Sequence, residues 1–164
     1  MIPASAKVLD IGTGPGFPAW PLACARPDLK VTALDSWRKG LAFLMTHPLP
    51  NLEILEGRAE SVVRREAFDV VTGRAFAPFA VQAEASAAWV KVGGLFVPFR
   101  TPAESDLVLT FGGDVLGLRL RDKITASLPH GAGDRLFPVF EKVTRTDRGY
   151  PRSWAEMKKR PIGT

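Results

Sequence analysis

Short runs of consecutive apolar residues alternate along this chain with segments of helical spacing. Residues 8–11, 31–34, 52–55, 68–73 and 95–99 predict five strands buried on both faces. Between them, residues 18–25, 38–44 and 80–90 predict helices, and Gly93-Gly94 predicts the turn into the fifth strand. This alternation implies an α/β fold with a Rossmann-like, doubly wound sheet, mostly parallel and crossed by helices. The third strand is expected beside the first. After Arg100 the pattern changes. Residues 118–124 alternate apolar and charged positions, residues 136–143 are apolar and β-branched, and Pro129-His130-Gly131 predicts the turn joining them. These two strands imply an antiparallel edge.

The most informative segment is Val-Leu-Asp-Ile-Gly-Thr-Gly-Pro-Gly-Phe, residues 8–17. A buried strand runs into Gly12, Gly14 and Gly16 and then into a helix, so the backbone can turn sharply and approach a ligand. Asp35 ends the second strand, where a carboxylate can accept both hydroxyls of a ribose. Together they point to a nucleoside cofactor at the topological switch point. A dinucleotide fingerprint requires glycine at position 17, and Phe17 stands there. The G-x-G-x-G spacing suits S-adenosyl-L-methionine, which has no pyrophosphate to seat.

The 164 residues suit one domain, 1–164, and 46% apolar content supplies a core. No run approaches a membrane span, no secretory leader is evident, and the lone Cys24 excludes an internal disulfide and a multi-cysteine metal site. A cytoplasmic monomer that binds no metal and no membrane is expected. Charge is uneven. Residues 142–164 hold seven basic and two acidic side chains, which accounts for the whole net charge of +5. Such a basic end is either a footprint for a polyanion or a solubilising tail. Arg119, Arg121 and Lys123 alternate on one face of a predicted strand and would extend the patch.

The chain resembles the glucose-inhibited division protein B family, the 16S (small-subunit) ribosomal RNA guanine-N7 methyltransferases. The resemblance is carried by the glycine loop and its Phe-Pro, Pro21 to Ala23, Arg26 to Leu29, Leu34 to Ser36, Phe43-Leu44 and Asn51. It continues through Gly-Arg-Ala-Glu (57–60), Arg-Ala-Phe-Ala (74–77), Val92 to Gly94, Tyr-Pro-Arg (150–152), Lys158-Lys159 and Pro161. It implies a methyltransferase sheet with S-adenosyl-L-methionine held by Gly12 and Phe17, by Asp35, Ser36 and Trp37 on the ribose side, and by Ala59 and Glu60 beside the adenine. The backbone N–H and C=O of Ala59 would read the purine edge. Arg74 would hold either the methionine carboxylate or an RNA phosphate. Tyr150, Arg152, Lys158 and Lys159 would track the backbone of 16S ribosomal RNA or the small ribosomal subunit. The family carries a helical segment before its first strand, which begins here near Lys7. Ala19, Gly40 and Ala155 depart from its pattern.

Guanine N7 offers a lone pair and no proton, so no catalytic acid–base residue is expected; His47 and His130 sit beside prolines in loops. The protein's task is positioning. Phe76, Phe79 or Trp37 would stack on the target base or serve as core and cofactor wall. Three other readings compete. One is a non-catalytic RNA-binding or ribosome-associated module that retains the fold. A nicotinamide oxidoreductase is disfavoured by Phe17, and a small-molecule methyltransferase by the basic end.

Overall fold

A computed structural model describes residues 2–163. Seven strands form one sheet: β1 (Lys7–Ile11), β2 (Lys30–Asp35), β3 (Leu52–Glu56), β4 (Phe68–Arg74), β5 (Val90–Phe99), β6 (Leu118–Ser127) and β7 (Asp134–Lys142). Their order is β3-β2-β1-β4-β5-β7-β6. The first five pair in parallel, while β7 pairs antiparallel with both β5 and β6. The mostly parallel sheet with an antiparallel edge is as the sequence predicts. The third strand is not: β2 separates β3 from β1. The order runs outward from β1 on both sides, so its carboxyl end marks the switch point.

Alternate residues of the central strands feed two cores. Leu9, Ile11, Val71, Phe96 and Phe140 face one, and Val8, Val31, Val70, Val97 and Val139 the other. Helices α1 (Ala19–Ala25) and α2 (Arg38–Met45) lie on the second face. Helix α3 (Phe79–Ala87) lies on the first, and every one of its residues is buried. It is covered in turn by α4 (Ser105–Thr110) and by α5 (Trp154–Lys159), neither of which the sequence reading assigned. Helix α5 starts with a capping box: Ser153 Oγ accepts from the Glu156 N–H at 3.4 Å, and Glu156 Oε2 accepts from the Ser153 N–H at 3.1 Å. On the second face the floor of β4, β5, β6 and β7 carries an apolar groove of about 340 Å³, lined by Val97, Phe99, Ile124 and Phe137; of α1, only Leu22 reaches it.

Two local expectations need correction. Gly93-Gly94 is not a turn before β5. The strand starts at Val90, and pairing jumps from Phe68–Val90 to Val70–Leu95, so residues 91–94 bulge out within it. Nor do Arg119, Arg121 and Lys123 share one face. A register shift between Leu120 and Asp122 turns the strand over, so Leu120 packs in the first core and Ile124 in the second. Lys123 is left to donate to Ser105 Oγ at 3.2 Å.

Three of the seven basic residues of 142–164 are built into the structure. Lys142 is the last residue of β7 and fully buried, donating to the carbonyls of Ala87 (2.9 Å) and Leu116 (2.6 Å) and to Thr146 Oγ1. Burial lowers its pKa to about 8. Arg145 pairs with Glu66 at 3.3 Å. Arg152 grips Glu84, a carboxylate wholly buried in α3, through Nε at 2.8 Å and Nη2 at 2.6 Å, and its backbone N–H donates to the same group at 2.9 Å. Removing Arg152 would leave that carboxylate buried without its counter-ion. Arg152→Ala is therefore expected to cost about 3–5 kcal/mol in urea unfolding, and Glu84→Gln on that background to recover part of the loss. Equal stability of Arg152→Ala and the parent would contradict the clamp.

Candidate cofactor site at the carboxyl end of the sheet

The turn after β1 is stitched to the end of β2. The N–H groups of Gly12 and Thr13 both donate to the Leu34 carbonyl, at 2.8 and 3.1 Å. Gly12 holds φ +72°, and a Cβ there would come within 2.5 Å of Phe76 Cδ2, so both the backbone angle and the overlying ring require glycine. Gly14 also has positive φ, and its N–H donates to Asp35 Oδ2 at 2.7 Å. The other oxygen, Oδ1, accepts from the Trp37 N–H at 2.8 Å. Asp35 thus fixes the glycine loop on one side and the start of α2 on the other. Each oxygen still has a lone pair for a ligand hydroxyl.

Asp10 does a parallel job below the loop. It is fully buried, and Oδ2 accepts from the Ala19 N–H at 3.1 Å, tying β1 to the first turn of α1. Burial raises its pKa to about 7, against smaller lowering effects of Thr13, Ala19 and the Arg74 charge.

Between these clamps lies a cavity of about 160 Å³. Ile11, Gly12 and Leu34 line it from β1 and β2, Asp35 and Ser36 from the end of β2, and Gly57, Arg58, Ala59 and Glu60 from the loop after β3. Phe76 and Trp154 complete it. Although β3 is not beside β1, its loop reaches the cavity because the Gly57 N–H donates to the Asp35 carbonyl at 2.9 Å. Ala59 is buried, and its carbonyl accepts from Trp89 Nε1 at 3.1 Å. That bond fixes the Ala59 peptide; its carbonyl keeps a second lone pair, and both its C=O and its N–H can read a purine edge. Glu60 faces Arg58 at 3.4 Å. Phe76 and Trp154 meet at 5.5 Å between ring centroids, and Arg58 lies over Trp154 at 6.0 Å. The set is acidic and hydroxyl-bearing at one end, apolar in the middle and aromatic along one wall. It fits an adenosyl group whose ribose meets Asp35.

The structure brings together Gly12, Asp35, Ser36, Ala59 and Glu60. Gly14 and Gly16 shape the loop without lining the cavity. Phe17 is 53% exposed and carries the Arg74 guanidinium 5.4 Å from its ring centroid; neither lines the cavity. Trp37 is 54% exposed, with its ring against Gly40, where an added Cβ would sit 2.4 Å from Cε3. The same Cβ would lie 2.9 Å from the Gly14 carbonyl carbon, so the ring and the glycine loop together leave room only for glycine at position 40. Tyr150 is half-buried against the first core, under the Arg152 guanidinium at 5.8 Å, while Lys158 and Lys159 are exposed on the last turn of α5. His47 and His130 are both exposed, as their loops predict. Arg58 and Trp154 were missed as cavity residues. Arg58 lay within the quoted Gly-Arg-Ala-Glu. Trp154 follows Ser153, whose S-x-x-E spacing announced a helix start.

Comparison with known proteins follows the same line. The family model described as "rRNA small subunit methyltransferase G" matches residues 1–110. The ribosomal RNA small subunit methyltransferase G of Lachnoclostridium phytofermentans is 37% identical over 165 residues, covering 94% of this chain and 68% of that protein. Its counterpart in Leuconostoc mesenteroides is 36% identical, covering 97% and 70%. Among solved structures, TYW2 of M. jannaschii, in complex with AdoMet, superposes with a TM-score of 0.65 at 16% identity, covering 84% of this chain and 69% of that one. This last likeness concerns the fold.

The buried Asp10 gives the site a pH signature. Its folded pKa of about 7 exceeds the ordinary 3.8, so between those values the folded chain keeps a proton that the unfolded chain releases. Its contribution to stability therefore falls as pH rises through that window. Asp10→Asn keeps an acceptor for Ala19 and lacks this dependence. The difference in stability between Asp10→Asn and the parent is expected to move in the variant's favour from about pH 4 to pH 7 in denaturant titrations; parallel profiles would contradict the buried, protonated carboxyl.

Proposed function

This chain belongs to the rRNA small subunit methyltransferase G family, and we infer that it transfers a methyl group from S-adenosyl-L-methionine to N7 of a guanine in 16S ribosomal RNA. One observation carries the reading: Asp35, a carboxylate at the end of β2, is fixed beside the glycine loop and lines a cavity with Ser36, Ala59 and Glu60. When bound, the cofactor supplies an electrophilic methyl group on a cationic sulfonium. The chain's own residues bind and orient. Asp35 takes the ribose hydroxyls, the Ala59 backbone and Glu60 meet the adenine, and Phe76 and Trp154 wall the site and limit water. No residue needs to take a proton, because N7 carries none. Gly12, Gly14, Gly16, Phe17, Ser36 and Trp37 build or flank the cofactor loop, and Tyr150, Lys158 and Lys159 stand on the RNA side, with Arg152 anchoring that segment to Glu84. We read the whole chain as one methyltransferase domain working as a cytoplasmic monomer on the small-subunit RNA. No helix among the described residues is long and apolar enough to cross a membrane.

Calorimetric titration tests this directly. The chain is expected to bind S-adenosyl-L-methionine and not NADH. Asp35→Asn places an amide N–H against a backbone N–H and removes the charge from two hydrogen bonds. It is expected to weaken cofactor binding by about tenfold or more, on the scale of hydrogen bonds to charged groups. Preferential binding of NADH, or undiminished binding by the variant, would overturn the assignment of the site.

A further inference from the structure

A second cavity, of about 370 Å³, opens at the same edge of the sheet, beyond the stretch that carries Phe76. Three arginines line it. Arg74 ends β4, Arg100 follows β5, and Arg135 is the second residue of β7. Because β7 runs antiparallel to β5, its first residues lie at the carboxyl edge; the bridge between Arg100 and Leu136, with N–H···O distances of 2.8 and 2.9 Å, sets Arg135 there.

Their partners differ. Arg100 is buried and held rigidly. Nη1 donates to Glu104 Oε1 at 3.1 Å, Nη2 donates to the Ala77 carbonyl at 3.1 Å and to Gln82 Oε1, and the guanidinium lies 5.4 Å from the Phe79 ring centroid. Its Nε–H is buried and without a partner. Arg74 and Arg135 form no salt bridge among the described residues. Arg74 rests on the Phe17 ring, and Arg135 donates only to the carbonyl of Asp134 at 2.9 Å. The one carboxylate lining the cavity, Glu104, is already paired with Arg100 and accepts from the Thr101 N–H at 3.2 Å. The guanidiniums of Arg74 and Arg135 are thus left for an anion, with the Arg100 guanidinium fixed behind them.

We propose that Arg74, Arg100 and Arg135 form a phosphate subsite that takes one phosphodiester of the RNA beside the base undergoing methylation. The proposal rests on the methyltransferase reading above and adds to it a place where the backbone is held. Planar guanidiniums from three adjacent strands suit the oxygens of a phosphodiester. The subsite is a different cavity from the one lined by Asp35, and the proposal gives Arg74 to the RNA rather than to the methionine carboxylate. Arg74 and Ala75 directly precede Phe76, so the subsite adjoins the aromatic wall of the cofactor cavity.

Arg135 is the residue to change, because Arg100 is woven into the core and Arg74 touches the cofactor loop. The complete chain and its Arg135→Ala and Arg135→Lys variants are titrated with purified 16S ribosomal RNA over a range of salt and, separately, with S-adenosyl-L-methionine. Arg135→Ala is expected to weaken RNA binding by about tenfold and to flatten the slope of log affinity against log salt by about 0.7, with cofactor affinity unchanged. Arg135→Lys, which keeps the charge, is expected to retain the slope. RNA affinity and slope both unchanged in Arg135→Ala would overturn the subsite, as would a loss of cofactor affinity with RNA affinity intact. A parent chain that binds the cofactor but neither binds nor methylates the RNA would overturn the methyltransferase reading, and the subsite with it.

Discussion

The site depends on two aspartate side chains that hold backbone N–H groups in place. A loop of three glycines within five residues carries a large conformational entropy and has no side chains of its own to pin it. Asp35 pins its middle through Gly14, and Asp10 pins the start of the following helix through Ala19. The Leu34 carbonyl takes the two N–H groups at the first bend. With these bonds made, the carboxyl ends of β1 and β2 become one rigid rim. The cavity, the placement of Phe76 over Gly12 and the approach of the loop after β3 all follow from that rim.

The opposite end of the chain serves the same rim from outside. Helix α3 is buried on every side, which is possible only because its one acid, Glu84, is neutralised by Arg152. That ion pair docks the segment preceding α5, and α5 delivers Trp154 to the cofactor cavity. Lys142 plays a similar part, threading a charge into the interior to satisfy carbonyls at the ends of α3 and of the turn before β6. A stretch whose composition suggests an electrostatic arm therefore does part of its work as mortar, and its exposed cations without an ion pair among the described residues are Arg148, Lys158, Lys159 and Arg160.

Much of this was legible in the sequence. The glycine spacing and Asp35 marked the cofactor rim, and the switch from unbroken to alternating apolar runs after Arg100 marked the antiparallel edge. The failures have physical causes. The bulge in β5 puts two glycines inside a strand, where they resemble a turn, and the shift in β6 reverses which side chains face out. Arg152 and Lys142 counted as surface charges because composition does not disclose a buried partner such as Glu84. The second arginine cavity could not be read at all. It joins residues from three strands whose adjacency depends on β7 inserting between β5 and β6.

Methyl transfer to guanine N7 is best tested by incubating the chain with S-adenosyl-L-methionine carrying a labelled methyl group and with 16S ribosomal RNA, then cleaving the RNA chemically at N7-methylguanine. Label in the RNA and cleavage at a single guanosine are expected. Label that resists such cleavage, or a folded, cofactor-binding chain that leaves the RNA unlabelled, would contradict it.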